Sequence, residues 1–225
     1  MALPYELTCL GQLPSNDPEL LEALQSRLQQ QFQLVDTFEH QEYLFLKDDP
    51  NRQGQTGFRD EEILRLRRLL KGAKESVEDA TWHLDSLHAA VRDQTAALCR
   101  AYTSVDLPGS TEADARRFIS ALGFKPKSDV IRKGLQYTRG TATVSIFQVY
   151  HADKPEQPLL PQVYLVEAVN RIALPAPVPK GQIAGPDNKP QVQPAQVMAA
   201  GLGLMEDIKA MLKGLVILQR VEPAF

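Results

Sequence analysis

The sequence predicts an α+β fold: an antiparallel β-barrel of about eight strands, with flanking helices near its start, middle and end. Three observations carry this reading. Segment after segment alternates apolar and polar residues at the period of a strand. Three other stretches repeat apolar residues every three or four positions, the period of a helix. The strands also follow one another in sequence, and about eight sequential strands most simply curl into a barrel, which removes their exposed edges. At 225 residues, with 43% hydrophobic content, the chain can bury a full core without staples. One domain over 1–225 is expected.

The elements follow in order. Residues 4 to 10, PYELTCL, set Tyr5, Leu7 and Cys9 on one face and Glu6, Thr8 and Leu10 on the other, as a strand does. In SNDPELLEALQSRLQQQ, Asp17 caps a helix, Pro18 suits its first position and Glu19 favours the positive end of its dipole. Leu20, Leu21, Leu24 and Leu28 form its apolar stripe. FQLVDTFEHQEYLFLK, 32 to 47, is rich in β-branched and aromatic residues and reads as two short strands or one bent one. DDPNRQGQTG is a loop by composition.

ILRLRRLL, 63 to 70, fits both periods. Leu64 and Leu66 alternate with Arg65 and Arg67 as in a strand, whereas Ile63, Leu66 and Leu70 fit a helix; the strand is preferred. ATWHLDSLH and AALCRAYTSVDL read as strands, the second closed by PGS. Ser110 or Thr111 caps the middle helix, with Ile119 and Leu122 among its buried positions and Gly123 as its stop. Strands follow at Val130 to Arg139, Thr141 to Tyr150 and Gln162 to Leu174. Residues 175 to 194 hold six of the sixteen prolines and are expected to form a mobile, extended loop. A helix over roughly 195 to 213 carries Met198, Leu202, Met205, Ile208 and Leu212, with Gly201 and Gly203 weakening its first half. LVILQRVEP then closes the chain as a strand or docked extension.

Composition narrows the function classes. A net charge of −3 is too small for a wholesale nucleic-acid binder, and no direct nucleic-acid contact is expected. The first thirty residues lack the basic and apolar regions of a secretory signal, and no window approaches the ~18 apolar residues of a membrane helix. Cys9 and Cys99 lack metal-type neighbours and read as buried, reduced thiols. His40, His83, His88 and His151 are scattered, so no metal site is expected. There is no GxSxG elbow, Walker loop or GxGxxG, and so neither catalytic nor cofactor-binding residues are assigned.

One stretch stands against the acidic whole. Seven basic residues lie between Ala115 and Gly140 against one acid, Asp129. On composition alone Arg65, Arg67, Arg132, Lys133 and Arg139 read as a solvated sheet face. The alternative is a phosphohydrolase or polyphosphate-binding barrel, since LGF followed by Lys- and Arg-bearing strands resembles the triphosphate-tunnel (CYTH-like) superfamily. That superfamily opens with E-x-E-x-K, whose two carboxylates share a metal. Here Glu6 is alone, with Thr8 and Leu10 in the positions of the second Glu and the Lys.

Taken together, LPSNDPELLEALQSRL, EHQEYLFLK, ILRLRRLL, TWHLDSL, FISALGF, VIRKGLQYTRGTATVSIFQVY, YLVEAV and LVILQRVEP resemble, in order and spacing, the Mediator subunit 18 family. The resemblance implies a non-enzymatic nuclear subunit of the Mediator head module with a tunnel-like barrel. It implies pairing with subunit 20, tethering by the C-terminal helix of subunit 8, and relay of activator signals to RNA polymerase II. The Met- and Leu-rich stripe of the last helix, Met198, Leu202, Met205 and Met211–Leu212, reads as barrel cover or as one wall of a partner groove. In the groove reading, Arg65, Arg67 or Arg139 would form a polar rim.

Overall fold

The computed structural model describes residues 3–47, 62–71, 81–91, 93–175 and 193–221. Among them are nine strands and three helices: β1 (Leu3–Pro14), α1 (Pro18–Gln29), β2 (Gln33–Lys47), β3 (Ile63–Lys71), β4 (Trp82–Ala90), β5 (Leu98–Leu107), α2 (Glu112–Ala121), β6 (Phe124–Arg139), β7 (Ala142–His151), β8 (Lys154–Pro158), β9 (Val163–Leu174) and α3 (Pro194–Leu212). The order β6-β2-β3-β4-β5-β1-β9-β7 closes on itself through β6–β7 pairing, giving an eight-stranded barrel. Its neighbouring strands are all antiparallel.

The helices begin where the sequence says they do. Asp17 accepts from the Leu20 amide ahead of Pro18, and the Thr111 hydroxyl accepts from the Asp114 amide. Residues 63–70 are a strand, and 33–47 are one bent strand whose register slips between Leu34 and Asp36 and between Leu44 and Phe45. Three expectations need correction. Leu122, expected among the buried positions of the middle helix, is the C-cap of α2 and 50% exposed, while Ala115 and Ile119 are the positions that helix buries. β6 starts at Phe124, six residues before Val130, because Lys125 and Pro126 pair with Leu46 and Phe45; local composition reads as loop, and pairing with β2 overrides it. No local pattern marks the short β8, which holds two prolines; it pairs with β7 past the point where β9 begins. Among the described residues, the chain's last segment pairs with the wall through a bridge between Leu10 and Gln219 and packs Val216 and Leu218 into the core beneath α3. The loop expected at 48–57 lies outside the described residues, as does nearly all of the Pro-rich stretch at 175–194.

The two larger apolar cores lie outside the barrel wall, beneath the helices. Leu7, Cys9 and Cys99 pack with Val144, Val166 and Ala168 under α1 and α3, where Leu24, Met205, Ile208 and Leu212 are fully buried. A second cluster joins Tyr43, Leu66 and Trp82 to Ala115 and Ile119 of α2. Asn170, also buried on this outer face, donates to the Gly201 carbonyl of α3 at 3.1 Å and accepts from the Thr141 hydroxyl at 2.7 Å. The two cysteines are free and buried. Since strands alternate faces, the residues between these apolar positions point into the lumen.

Candidate functional site

The lumen is charged. Arg65 on β3 is its centre, with a side chain only 10% exposed. It donates to both Glu6 oxygens, at 3.1 and 3.3 Å, and through Nε and Nη2 to Asp85 Oδ2 at 3.1 and 3.0 Å. Arg67 reaches the same Asp85 oxygen at 2.6 Å, and the Ser104 hydroxyl donates to the other at 2.7 Å. Arg171 on β9 donates to Glu6 at 3.0 Å. Arg132 on β6 bridges Glu42 at 3.0 Å and Glu167 at 3.2 Å, its guanidinium 4.8 Å above the Phe147 ring.

Register explains how the sequence builds this network. Cross-strand partners share a face, and here they carry opposite charge: Arg65 faces Asp85, Arg67 faces Glu42, and Glu6 lies between Arg100 and Arg171. Gly134 makes room: a Cβ there would fall 2.0 Å from the Ile146 carbonyl oxygen and 2.6 Å from Phe147 Cα. The strand pair therefore closes tightly beside Phe147, where Arg132 stacks.

Electrostatics follow from burial and pairing. Burial alone would raise Glu6, but the Arg65, Arg171 and Arg67 guanidiniums outweigh it and hold the carboxyl below its ordinary value. Asp85, likewise buried, is pulled down to about 2 by Arg67, Arg65 and the Ser104 hydrogen bond. Arg67 is lowered by burial and by the like charge of Arg65, yet a guanidinium stays charged at every ordinary pH. His40 is lowered to about 4, first by burial and then by Arg67, so the ring is neutral at pH 7.

Four arginines (Arg65, Arg67, Arg132, Arg171) thus meet four carboxylates (Glu6, Glu42, Asp85, Glu167) in ion pairs of 3.2 Å or less. The space left is a cavity of about 100 Å³ lined by His40, Gln136, Thr143, Ser145 and Phe147 among others. That is below the ~300–1,000 Å³ of ordinary ligand sites. At one end Leu44, Ile63 and Leu87, with Leu46 and Tyr102 against them, form a separate apolar cluster. Among the described residues, no group of three acidic, His or Cys side chains is arranged to hold a metal ion.

The expectation of a solvated sheet face is therefore overturned for Arg65, Arg67 and Arg132, which point inward and are paired. Lys133 lies 3.2 Å from Glu39 and 5.0 Å from the Tyr150 ring. Arg139 donates to Gln31 and stacks on Phe32, where α1 runs into β2. The polar rim expected beside the last helix is not assembled either: Arg65 and Arg67 lie inside the barrel, while the methionine stripe lies outside it. Met205 is fully buried; Met198, Leu202 and Met211 are half-buried against the same core. A groove of about 1,160 Å³ does run beside the last turns of α3, but other residues line it: Gly11, Lys209, Lys213, Leu215 and Ile217. Sequence reasoning does not single out Asp85, Glu42, Glu167 or Arg171. Their signal is nevertheless present, because Glu167 and Arg171 alternate with Val166, Ala168 and Asn170 along one strand.

No curated protein matched the chain significantly. Two solved structures show the fold. One is the Mediator head module of Schizosaccharomyces pombe, at 17% identity and a TM-score of 0.63, covering 96% of this chain and 98% of that one. The other is the PH1819 protein of Pyrococcus horikoshii OT3, at 13% identity and a TM-score of 0.55, covering 96% and 94%. A family model, described as Med18 protein, matches residues 11–220, nearly the whole length over which the barrel and its helices are built, and the chain belongs to that family.

Proposed function

We propose that this chain is a non-enzymatic structural subunit of the Mediator head module, acting in the nucleus to relay regulatory signals to RNA polymerase II. Its family supports membership of the complex, and the lumen supports the absence of catalysis. Glu6, Glu42, Asp85 and Glu167 each already hold an arginine, and Glu6 is engaged twice. A metal would have to displace a guanidinium to reach it, and triphosphate would have to displace carboxylates to reach the arginines. Partner contact then falls to the outside. Subunit 20 and the C-terminal helix of subunit 8 are the proposed partners. The groove beside α3 has the apolar lining that an amphipathic helix requires, with Ile217 74% exposed.

A pull-down from nuclear extract with the tagged chain tests this directly. Recovery of head-module subunits, lost on Ile217→Asp, is the expected result. Recovery of none of them would overturn the assignment. Metal-dependent phosphate release from tripolyphosphate by the purified chain would overturn the non-enzymatic reading.

A further inference from the structure

Strand β1 is paired unevenly along its two edges. Towards β9 it is paired throughout, from Leu3 opposite Leu174 to Pro14 opposite Val163. Towards β5 it is paired only from Tyr5 to Thr8. Beyond Thr8 the chain's last segment, residues 214–221, takes the place that β5 leaves. Gly214, at φ +87°, turns the chain off the end of α3. Gln219 then exchanges both main-chain hydrogen bonds with Leu10, each at 2.9 Å. Arg220 adds a side-chain bond to the Gln94 carbonyl.

Gly11 is what lets this segment lie against β1. A Cβ there would fall 2.7 Å from Val216 Cγ2, 2.8 Å from the Ile217 carbonyl oxygen and 3.1 Å from Leu218 Cδ2. The carbonyl is main chain and cannot rotate away, so any side chain at position 11 must displace the segment. Along the segment burial alternates as in a strand. Val216 and Leu218 are buried in the core with Met205 and Ile208, and Ile217 between them is 74% exposed. The two buried neighbours fix the direction of Ile217, which lines the α3 groove. That groove is formed by the last turns of α3, by Leu10, Gly11 and Gln12 of β1, and by this segment. Without the segment in place, the groove lacks one wall.

We infer that residues 214–221 form a strap seated on β1 at Gly11, and that this seat builds the α3 groove and aims Ile217 at the partner helix. The inference rests on the reading of that groove as the site of an amphipathic helix. Gly11 is then a positioning residue: it has no side chain to offer a partner and acts through Ile217. The strap is held by Val216, Leu218, Arg220 and a single main-chain exchange, where the barrel strands are held by continuous ladders. It can therefore lift from β1 while the barrel stays closed. A helix that needs the complete groove binds the seated state alone.

Two measurements on the full chain test this: hydrogen exchange of the purified protein, and recovery of head-module subunits from nuclear extract by the tagged protein. The Leu10 and Gln219 amides report the seat, since each donates across it, and the β6–β7 ladder reports the barrel. Gly11→Ala should free both amides and cut recovery about tenfold, with the β6–β7 ladder still protected. Leu218→Ser unseats the strap without altering β1 and should do the same. Ile217→Asp should lose recovery yet keep both amides protected, because its side chain lies in solvent. The inference is overturned if Gly11→Ala leaves the two amides as protected as in the wild type, or if recovery is undiminished once they are free. Loss of protection along the β6–β7 ladder in both Gly11→Ala and Leu218→Ser would also overturn it, by making the segment part of the barrel's own fold. A wild-type chain that recovers no head-module subunit would instead sink the reading of the groove, and with it the aiming of Ile217; the seat at Gly11 is decided by exchange alone.

Discussion

Replacing Glu6 by alanine removes the acceptor that Arg65 and Arg171 share. Both guanidiniums lie about 3 Å from one oxygen of a carboxylate whose side chain is 7% exposed. Removing one partner of a buried ion pair costs about 3–5 kcal/mol, because the other charge stays buried without compensation. Two features set the value at the low end. Arg65 keeps Asp85 at 3.0 Å, and Arg171 is 41% exposed and can hydrate. The expected loss is about 3 kcal/mol, a large part of the ~5–15 kcal/mol typical of a domain. Urea denaturation measures it, read by the fluorescence of Trp82, the chain's single tryptophan, which is buried. The pH dependence gives a second measure. Glu6 and Asp85 are both held below their ordinary values in the folded state. Their contribution is therefore complete above the unfolded carboxyl range of ~4 and is lost as pH falls towards 2. For Asp85 alone this amounts to about 2 kcal/mol. Wild-type stability should thus fall steeply between these limits, and Glu6→Ala less steeply. A loss under about 1 kcal/mol, or equal slopes for the two proteins below pH 4, would refute the assignment of Glu6 as a buried ion-pair acceptor.

Three further outcomes are expected. Gly134→Ala should destabilise by at least the ~1–3 kcal/mol of ordinary overpacking, since the group it strikes is backbone and cannot rotate away; an unchanged thermal midpoint would contradict the close approach of β7. Met205→Asp should leave the isolated chain unfolded by circular dichroism, because it puts a carboxylate into a fully buried core position, whereas a folded variant would show that α3 does not seal the wall there. Asn170→Ala should cost about 1–3 kcal/mol by leaving the buried carbonyl of Gly201 without its side-chain donor, and a value near zero would mean that the clamp between β9 and α3 adds nothing.

Most strands and helices are legible in the sequence because each has a local cause. Asp17 before Pro18, Thr111 before an acidic first turn, and the alternation of ILRLRRLL all act within a few residues, and all appear where the chain places them. The stripe on α3 is legible as well, though not its use: the same spacing serves a core or a groove, and only the position of β1, β9 and β7 beneath Met205 decides. Local signals fail at the start of β6, where Lys125, Pro126 and Lys127 are poor strand formers drawn into the wall by the end of β2.

Alternation along the chain is enough to give each strand an apolar and a polar face, and to place arginine or glutamate on the polar face of several of them. Which face is enclosed is a different matter, because a period of two divides a strand without saying which side meets water. A small barrel closed on its own commonly fills its inside with side chains. Here the helices α1, α2 and α3 cover the apolar side from without, so the polar side becomes the lumen. Closure of the barrel then brings Glu6 to Arg65, 59 positions away, and to Arg171, 165 positions away. No local pattern encodes such a meeting. It exists only once β9 returns beside β1, and it turns charges that would be solvated on an open sheet into a paired interior.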